Sequence, residues 1–115
     1  MVTPTAGSIV LVRFPFSDLS QSKLRPAVVV ADAGRGDWVL CQITSSSSSD
    51  ARAVELTDSD FQSGSLRVTS YARPAKLFTA SNDLMTSQVG TLKSESFNQI
   101  VDAIIDLMRS GLSKS

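Results

Sequence analysis

The chain has 115 residues, 42% of them hydrophobic, with a formal net charge of zero, a single cysteine and no histidine. That length and apolar content predict one folded domain over residues 1–115 with its own core. They exclude a disordered chain, and no apolar run approaches the roughly 18–20 residues that cross a bilayer as a helix. One cysteine, Cys41, and no histidine exclude an internal disulfide, a His/Cys zinc site, a Ser-His-Asp triad and a two-histidine ribonuclease mechanism. Any chemistry therefore falls to Arg, Lys, Ser, Thr, Asp, Glu, Tyr or backbone groups.

Residues 8–15, Ser-Ile-Val-Leu-Val-Arg-Phe-Pro, are apolar and β-branched and close on a proline, which predicts a strand. The small polar residues 16–24 read as a mobile loop. Residues 26–32 are a continuous apolar run of the buried-strand type, Gly34 to Asp37 form a turn, and residues 38–44 return as the other arm of a hairpin. A serine tract, Ser45 to Ser49, reads as a flexible loop. Residues 52–56 alternate as a short strand, and Thr57-Asp58-Ser59-Asp60 suits the cap of a single helical turn. Gly64 punctuates the chain. Residues 66–71 and 73–79 are strand-like around Ala72-Arg73-Pro74, where proline demands a bend or bulge, and residues 88–92 make a last strand.

Over residues 95–109 the apolar side chains Phe97, Ile100, Val101, Ile104, Ile105 and Met108 recur at helical spacing. Ser94 is placed as N-cap, Glu95 and Arg109 match the helix dipole, and Gly111 is the expected stop. Full burial of that stripe would contribute on the order of 9–18 kcal/mol before entropy is subtracted. Short strands, tight turns and one terminal helix predict a mainly β fold of the α+β class, a small curved barrel with the helix packed on it.

The segment Gly7 to Asp18, reading GSIVLVRFPFSD, resembles the opening strand and loop of MazF/PemK-type toxins of type II toxin–antitoxin systems. Lys23-Leu24-Arg25-Pro26-Ala27-Val28-Val29 resembles that family's Arg-Pro entry into the second strand. Cys41-Gln42-Ile43-Thr44-Ser45 resembles its Ile-Thr-Ser strand end, and Ser70 to Leu77 a later segment. The similarity runs in order from about Gly7 to Arg109. It implies an SH3-like barrel, a homodimer, cleavage of single-stranded RNA at short specific sequences without metal or other cofactor, and neutralisation by a cognate antitoxin; the lone cysteine fits a reducing, cytoplasmic location. The resemblance also implies that Arg25 and Thr44 are the catalytic pair. Some members carry a histidine near the first loop, and this chain has none.

These residue types suit RNA cleavage by 2′-hydroxyl attack. The transition state gathers negative charge on the non-bridging phosphate oxygens, and an enzyme without a metal must aim fixed donors at it. Arginine offers a planar, permanently charged fork; threonine offers a hydroxyl on a restricted rotamer. Arg73 is a candidate for phosphate binding or catalysis, against a charged side chain beside a bend, and Lys76 is a candidate to steer the RNA backbone. Lys23 stands beside Arg25 as a further cation. Asp18 is a general base, a reader of base edges or a turn-forming aspartate. Ser45 begins a tract that either contacts RNA bases or is flexible filler. Phe14 and Phe16 are set between base stacking and core packing, and Cys41 reads as a small buried hydrophobe. Two other readings stand beside the nuclease: a toxin of the same fold that poisons DNA gyrase, which would use C-terminal aromatic residues absent from Gly111 to Ser115, and a non-catalytic SH3-like binding module.

Overall fold

A computed structural model describes residues 3–13, 24–46 and 50–112. Among the described residues seven strands, β1 (Ser8–Arg13), β2 (Leu24–Gly34), β3 (Asp37–Thr44), β4 (Val54–Leu56), β5 (Phe61–Gly64), β6 (Ser70–Ser81) and β7 (Met85–Leu92), precede one α-helix, α1 (Ser94–Leu112). The strands form one antiparallel sheet in the order β4-β6-β3-β2-β1-β7-β5. Only eleven residues of β2 and eight of β3 are needed for the predicted hairpin, whose turn places Arg35 and Gly36 at positive φ, as a right-twisted two-residue hairpin turn requires.

The sheet curls into a half-barrel with apolar side chains on both faces. The concave core joins Ile9, Val28, Cys41 and Ile43 to Leu56 of β4 and Phe61 of β5, one from each edge of the sheet, and to Ile100 of α1. The other face buries Val10, Val12, Ala27, Val29 and Leu40, partly covered by Trp38 and Phe78. This explains why β2 reads as a continuous apolar run: alternate residues serve two different cores. Cys41 is fully buried, and desolvation pushes its thiol up to about 12, so it is inert as a nucleophile.

The two sheet edges are brought together by a 3-10 turn at Asp58–Asp60, the helical turn expected after Thr57. Asp60 is its hub. Its carboxylate accepts the Thr57 backbone N–H at 2.8 Å and the Ser96 hydroxyl of α1 at 2.8 Å, while its carbonyl accepts the Lys93 N–H at 2.9 Å. Partial burial pushes the Asp60 carboxyl upward, but these hydrogen bonds and the Lys93 charge outweigh it and hold the pKa below the ordinary value. A lowered folded-state pKa adds stability above the unfolded-state value near 4, and that stability disappears as pH falls through the folded value. Asp60→Asn is therefore expected to cost about 1–2 kcal/mol at pH 7 and to flatten the loss of stability below about pH 4. Denaturant titrations at pH 7 and pH 3 measure both effects; parallel losses in the two proteins would remove Asp60 from this role.

Several boundaries differ from the sequence expectation. The 66–71 and 73–79 segments resolve into a turn over 65–69 and one long β6, because Arg67 takes a left-handed backbone with φ 69° that a strand cannot contain. The bulge expected around Arg73-Pro74 is present: the β3–β6 register slips between Cys41 and Ile43, and the Cys41 thiol donates to the Arg73 carbonyl at 3.2 Å. β5 was not anticipated, β7 starts at Met85 and not at 88, and α1 continues through Gly111 to Leu112. The helix stripe is also less buried than its periodicity suggests. Ile100 is fully buried and Phe97, Val101 and Ile104 half-buried, whereas Ile105 and Met108 are 42% and 59% exposed. Among the described residues no helix is long and apolar enough to cross a membrane.

Candidate active site

Arg25 and Thr44 occupy the open ends of neighbouring strands. Between β2 and β3, Val28 pairs with Cys41 and Ala27 with Gln42. Carried two residues further, that register sets Arg25 across from Thr44. Directly opposed residues of antiparallel strands share a face of the sheet. The paired ladder stops at Ala27 and Gln42, and beyond it Arg25 and Thr44 both line a cleft of about 460 Å³. Pro26 explains part of this opening. It has no N–H to donate, so the ladder lacks one bond where the cleft begins.

Arg25 is exposed and makes no ion pair among the described residues. Its guanidinium is therefore available to an anion. Thr44 is half-buried, and its hydroxyl oxygen accepts the Ser46 backbone N–H at 3.1 Å. That bond fixes the hydroxyl and leaves its proton to donate into the cleft. Ser45 lines the same cleft and is exposed. The opposite wall comes from Leu66, Val68 and Ser70, and the rim from Leu24. Leu24 and Val68 are 46% and 59% exposed, an apolar lip around a polar floor.

Arg73 and Lys76 lie elsewhere. Arg73 Nε donates to Asp50 Oδ2 at 3.2 Å, and both side chains are largely buried in the contact. The Asp50 carboxyl is held below its usual range by the Arg52 backbone N–H and then by Arg73. This ion pair anchors the chain just beyond the serine tract that leaves Thr44, and Arg73 is not among the residues lining the cleft. Lys76 is exposed on the bulged part of β6, also outside the lining. Asp18, Lys23, Phe14 and Phe16 lie outside the described residues, as do residues 47–49 of the serine tract. No three His, Cys, Asp or Glu side chains cluster among the described residues.

Of the wall residues, the sequence marks Ser70 only as the start of a family-like segment and does not mark Leu66 or Val68. They read as strand, and nothing in their types marks a cleft; only the turn that folds them back over β1 does so. Chemically, the arrangement presents one guanidinium with no ion pair among the described residues and one oriented hydroxyl to a shared space with apolar sides. Such a space suits a planar or extended ligand carrying concentrated negative charge.

The model of the family described as PemK-like, MazF-like toxin of type II toxin–antitoxin system matches residues 5–108. A search of curated proteins gave no significant match. Among solved structures, a MazE–MazF complex from Deinococcus radiodurans superposes with a TM-score of 0.74 at 18% identity, over 91% of this chain and 95% of that one. An endoribonuclease from a Mycobacterial species, in complex with its cognate antitoxin, gives 0.70 at 17% identity over 94% and 95%. The Mycobacterium tuberculosis toxin MazF-mt6 gives 0.69 at 17% identity over 89% and 96%. These likenesses establish the half-barrel with its C-terminal helix, and the family match spans all seven described strands and most of the helix. The chain thus belongs to the PemK-like, MazF-like toxin family of type II toxin–antitoxin systems.

Proposed function

We propose that this chain is a single-domain, metal-independent endoribonuclease toxin that cuts single-stranded RNA at short specific sequences, using the RNA's own 2′-hydroxyl as nucleophile. One observation carries the reading: Arg25, without an ion-pair partner among the described residues, shares a cleft with the oriented hydroxyl of Thr44. Bound there, the scissile phosphate would receive the guanidinium fork on its two non-bridging oxygens and the Thr44 proton on a second lone pair of one of them. As the 2′-oxygen approaches phosphorus in line, the oxygens gain charge and both contacts strengthen. This is differential stabilisation of the transition state. Arg25 is also assigned the delivery of a proton, through water, to the departing 5′-oxygen, and the proton released by the attacking 2′-hydroxyl passes to water and restores the guanidinium.

The remaining candidates take supporting roles. Ser45 contacts a base or phosphate at the cleft floor. Lys23, Lys76 and Arg73 supply flanking positive charge, Arg73 while also anchoring the loop through Asp50. Asp18 is assigned to the reading of the RNA strand. Antitoxin neutralisation is supported by family membership and by a structural neighbour solved with its cognate antitoxin. The exposed Ile105, Met108 and Leu112 on α1 support a protein contact on that side, assigned to a homodimer. Action is placed in the cytoplasm, where the RNA substrate is.

The test is incubation of the folded protein, free of antitoxin, with mixed-sequence single-stranded RNA in EDTA. Discrete fragments are expected; RNA that stays intact would leave a binding module or a gyrase poison as the reading. Thr44→Val, which deletes the hydroxyl at nearly constant shape, is expected to lower kcat by about 10²-fold, with Thr44→Ser recovering most of the rate. Equal rates for Val and Ser would show that the hydroxyl does no chemistry.

A further inference from the structure

Among the described residues two arginines take a left-handed backbone: Arg35 does so in the β2–β3 hairpin turn, whose geometry requires it, and Arg67 does so outside any hairpin turn. Arg67 holds φ at 69° in the turn between β5 and β6, a conformation that is costly for any residue with a Cβ. A relay of hydrogen bonds fixes it there. The Arg67 backbone N–H donates to Ser65 Oγ at 2.8 Å, and the Ser65 hydroxyl donates onward to Asp58 Oδ1 at 2.6 Å. Asp58 belongs to the 3-10 turn that joins the sheet edges, so the turn is tied to the rigid part of the fold. The Arg67 side chain is exposed and makes no ion pair among the described residues.

Its two chain neighbours, Leu66 and Val68, are walls of the Arg25–Thr44 cleft. On the far side of the same turn lies a second depression, lined by Leu11, Leu66 and Arg67 with Gly64, Ser65 and Val89. Leu11 and Leu66 line both spaces, so among the described residues the two depressions adjoin, with Arg25 in one and Arg67 in the other. A third depression also touches Arg67, but the carboxylate of Asp58 lines it, which disfavours an anion on that side. A strained cation held rigidly in a depression that adjoins the one carrying the proposed catalytic arginine is the kind of outlier that points to ligand binding.

We propose that Arg67 grips a phosphate of the RNA strand flanking the scissile linkage, on the path over Leu11 and Leu66, and so sets the register in which the strand enters the Arg25–Thr44 cleft. This inference rests on the RNA-cleaving reading. Arg67 touches no reacting atom; it is a substrate-positioning residue. Its loss is felt in binding and not in the chemical step.

The experiment first maps a cut site in mixed-sequence RNA. An oligonucleotide spanning that site is then made non-cleavable by a 2′-deoxy substitution at the attacking ribose, and its binding to wild type, Arg67→Ala and Arg67→Lys is measured over a range of salt. Alanine carries a left-handed backbone penalty close to that of arginine, so the melting temperature should hold. Arg67→Ala is expected to raise Kd and KM about tenfold with kcat within about twofold, and to reduce the slope of log K against log salt by about 0.7, the value for one phosphate contact on a single strand. Arg67→Lys should recover most of the affinity. Neutral methylphosphonate linkages, placed one at a time along the oligonucleotide, should weaken wild type at one flanking position where they no longer affect Arg67→Ala. Affinity within twofold of wild type, or the same additional loss in Arg67→Ala at every methylphosphonate position, overturns the assignment while leaving the nuclease reading intact. Wild-type protein that neither cuts nor binds RNA defeats the nuclease reading, and the role of Arg67 with it.

Discussion

Arg25→Ala is expected to lower kcat for RNA cleavage by about 10²–10³-fold while the protein stays folded. The first half of that expectation comes from electrostatics. A donor aimed at charge that develops only in the transition state is worth about 3–4 kcal/mol, and the loss should fall on kcat with KM changed far less. The second half comes from the position of Arg25. It is exposed at the start of β2 and makes no ion pair among the described residues. Truncation therefore strands no buried charge, and stability should change by no more than about 0.5 kcal/mol. Arg25→Lys should recover only part of the rate, because an ammonium cannot present two parallel N–H groups to two phosphate oxygens. Matched kinetics and thermal melts of the two variants check this. An alanine variant that melts like wild type and cuts at full rate would remove Arg25 from the mechanism.

Gly64→Ala is expected to be the most damaging single change to the fold. Gly64 sits at φ +73° opposite Gly90 in the β5–β7 ladder. A Cβ there would run into the Val89 carbonyl oxygen and come within 2.6 Å of the Gly90 Cα. Both obstacles are backbone, so no side chain can swing aside. The left-handed conformation costs a residue with a Cβ about 1–2 kcal/mol, and forcing the strands apart adds about 1–3 kcal/mol. Against a total stability of about 5–15 kcal/mol, the melting temperature should fall by more than about 10 °C. Gly111→Ala is the contrast. Among the described residues nothing lies within 4 Å of a Cβ at that helical position, and alanine is the better helix former by about 1 kcal/mol. Differential scanning calorimetry of the pair should show opposite signs. A shift of only a degree or two for Gly64→Ala would mean that β5 detaches from β7 at little cost.

The candidate site was legible in sequence as far as its floor. Arg25-Pro26 and Ile43-Thr44-Ser45 are each contiguous, and the hairpin between them follows from two apolar runs around a Gly-rich turn. Antiparallel pairing then brings their ends together without further information. The wall was not legible. Leu66, Arg67 and Val68 have the composition of a strand, and what folds them back is a backbone bond to Ser65 and a carboxylate at Asp58. No local propensity encodes such a relay. β5 escaped for a related reason: four residues bounded by a turn carry too short an alternation to register.

The helix shows a different limit. Its 3.6-residue period correctly marks the apolar face of α1, but period cannot say how far the sheet extends beneath it. Ile100 and Ile104 reach the concave core, whereas Met108 and Leu112 lie beyond it and stay exposed. Arg73 is a third case. The sequence leaves it between a phosphate ligand or catalytic group and a charged side chain beside a bend, and only the fold shows that a partner twenty-three residues earlier in the chain, Asp50, meets it.

The most direct measurement of the central claim is the chemistry of the cut ends. If an arginine and a threonine merely stabilise attack by the neighbouring ribose oxygen, RNA treated with this protein in EDTA carries 2′,3′-cyclic phosphate on one fragment and 5′-hydroxyl on the other, and a single 2′-deoxy substitution at the cut abolishes cleavage there. Fragments ending in 5′-phosphate, or undiminished cutting at the 2′-deoxy linkage, would mean that water attacks instead and that the cleft works by another mechanism.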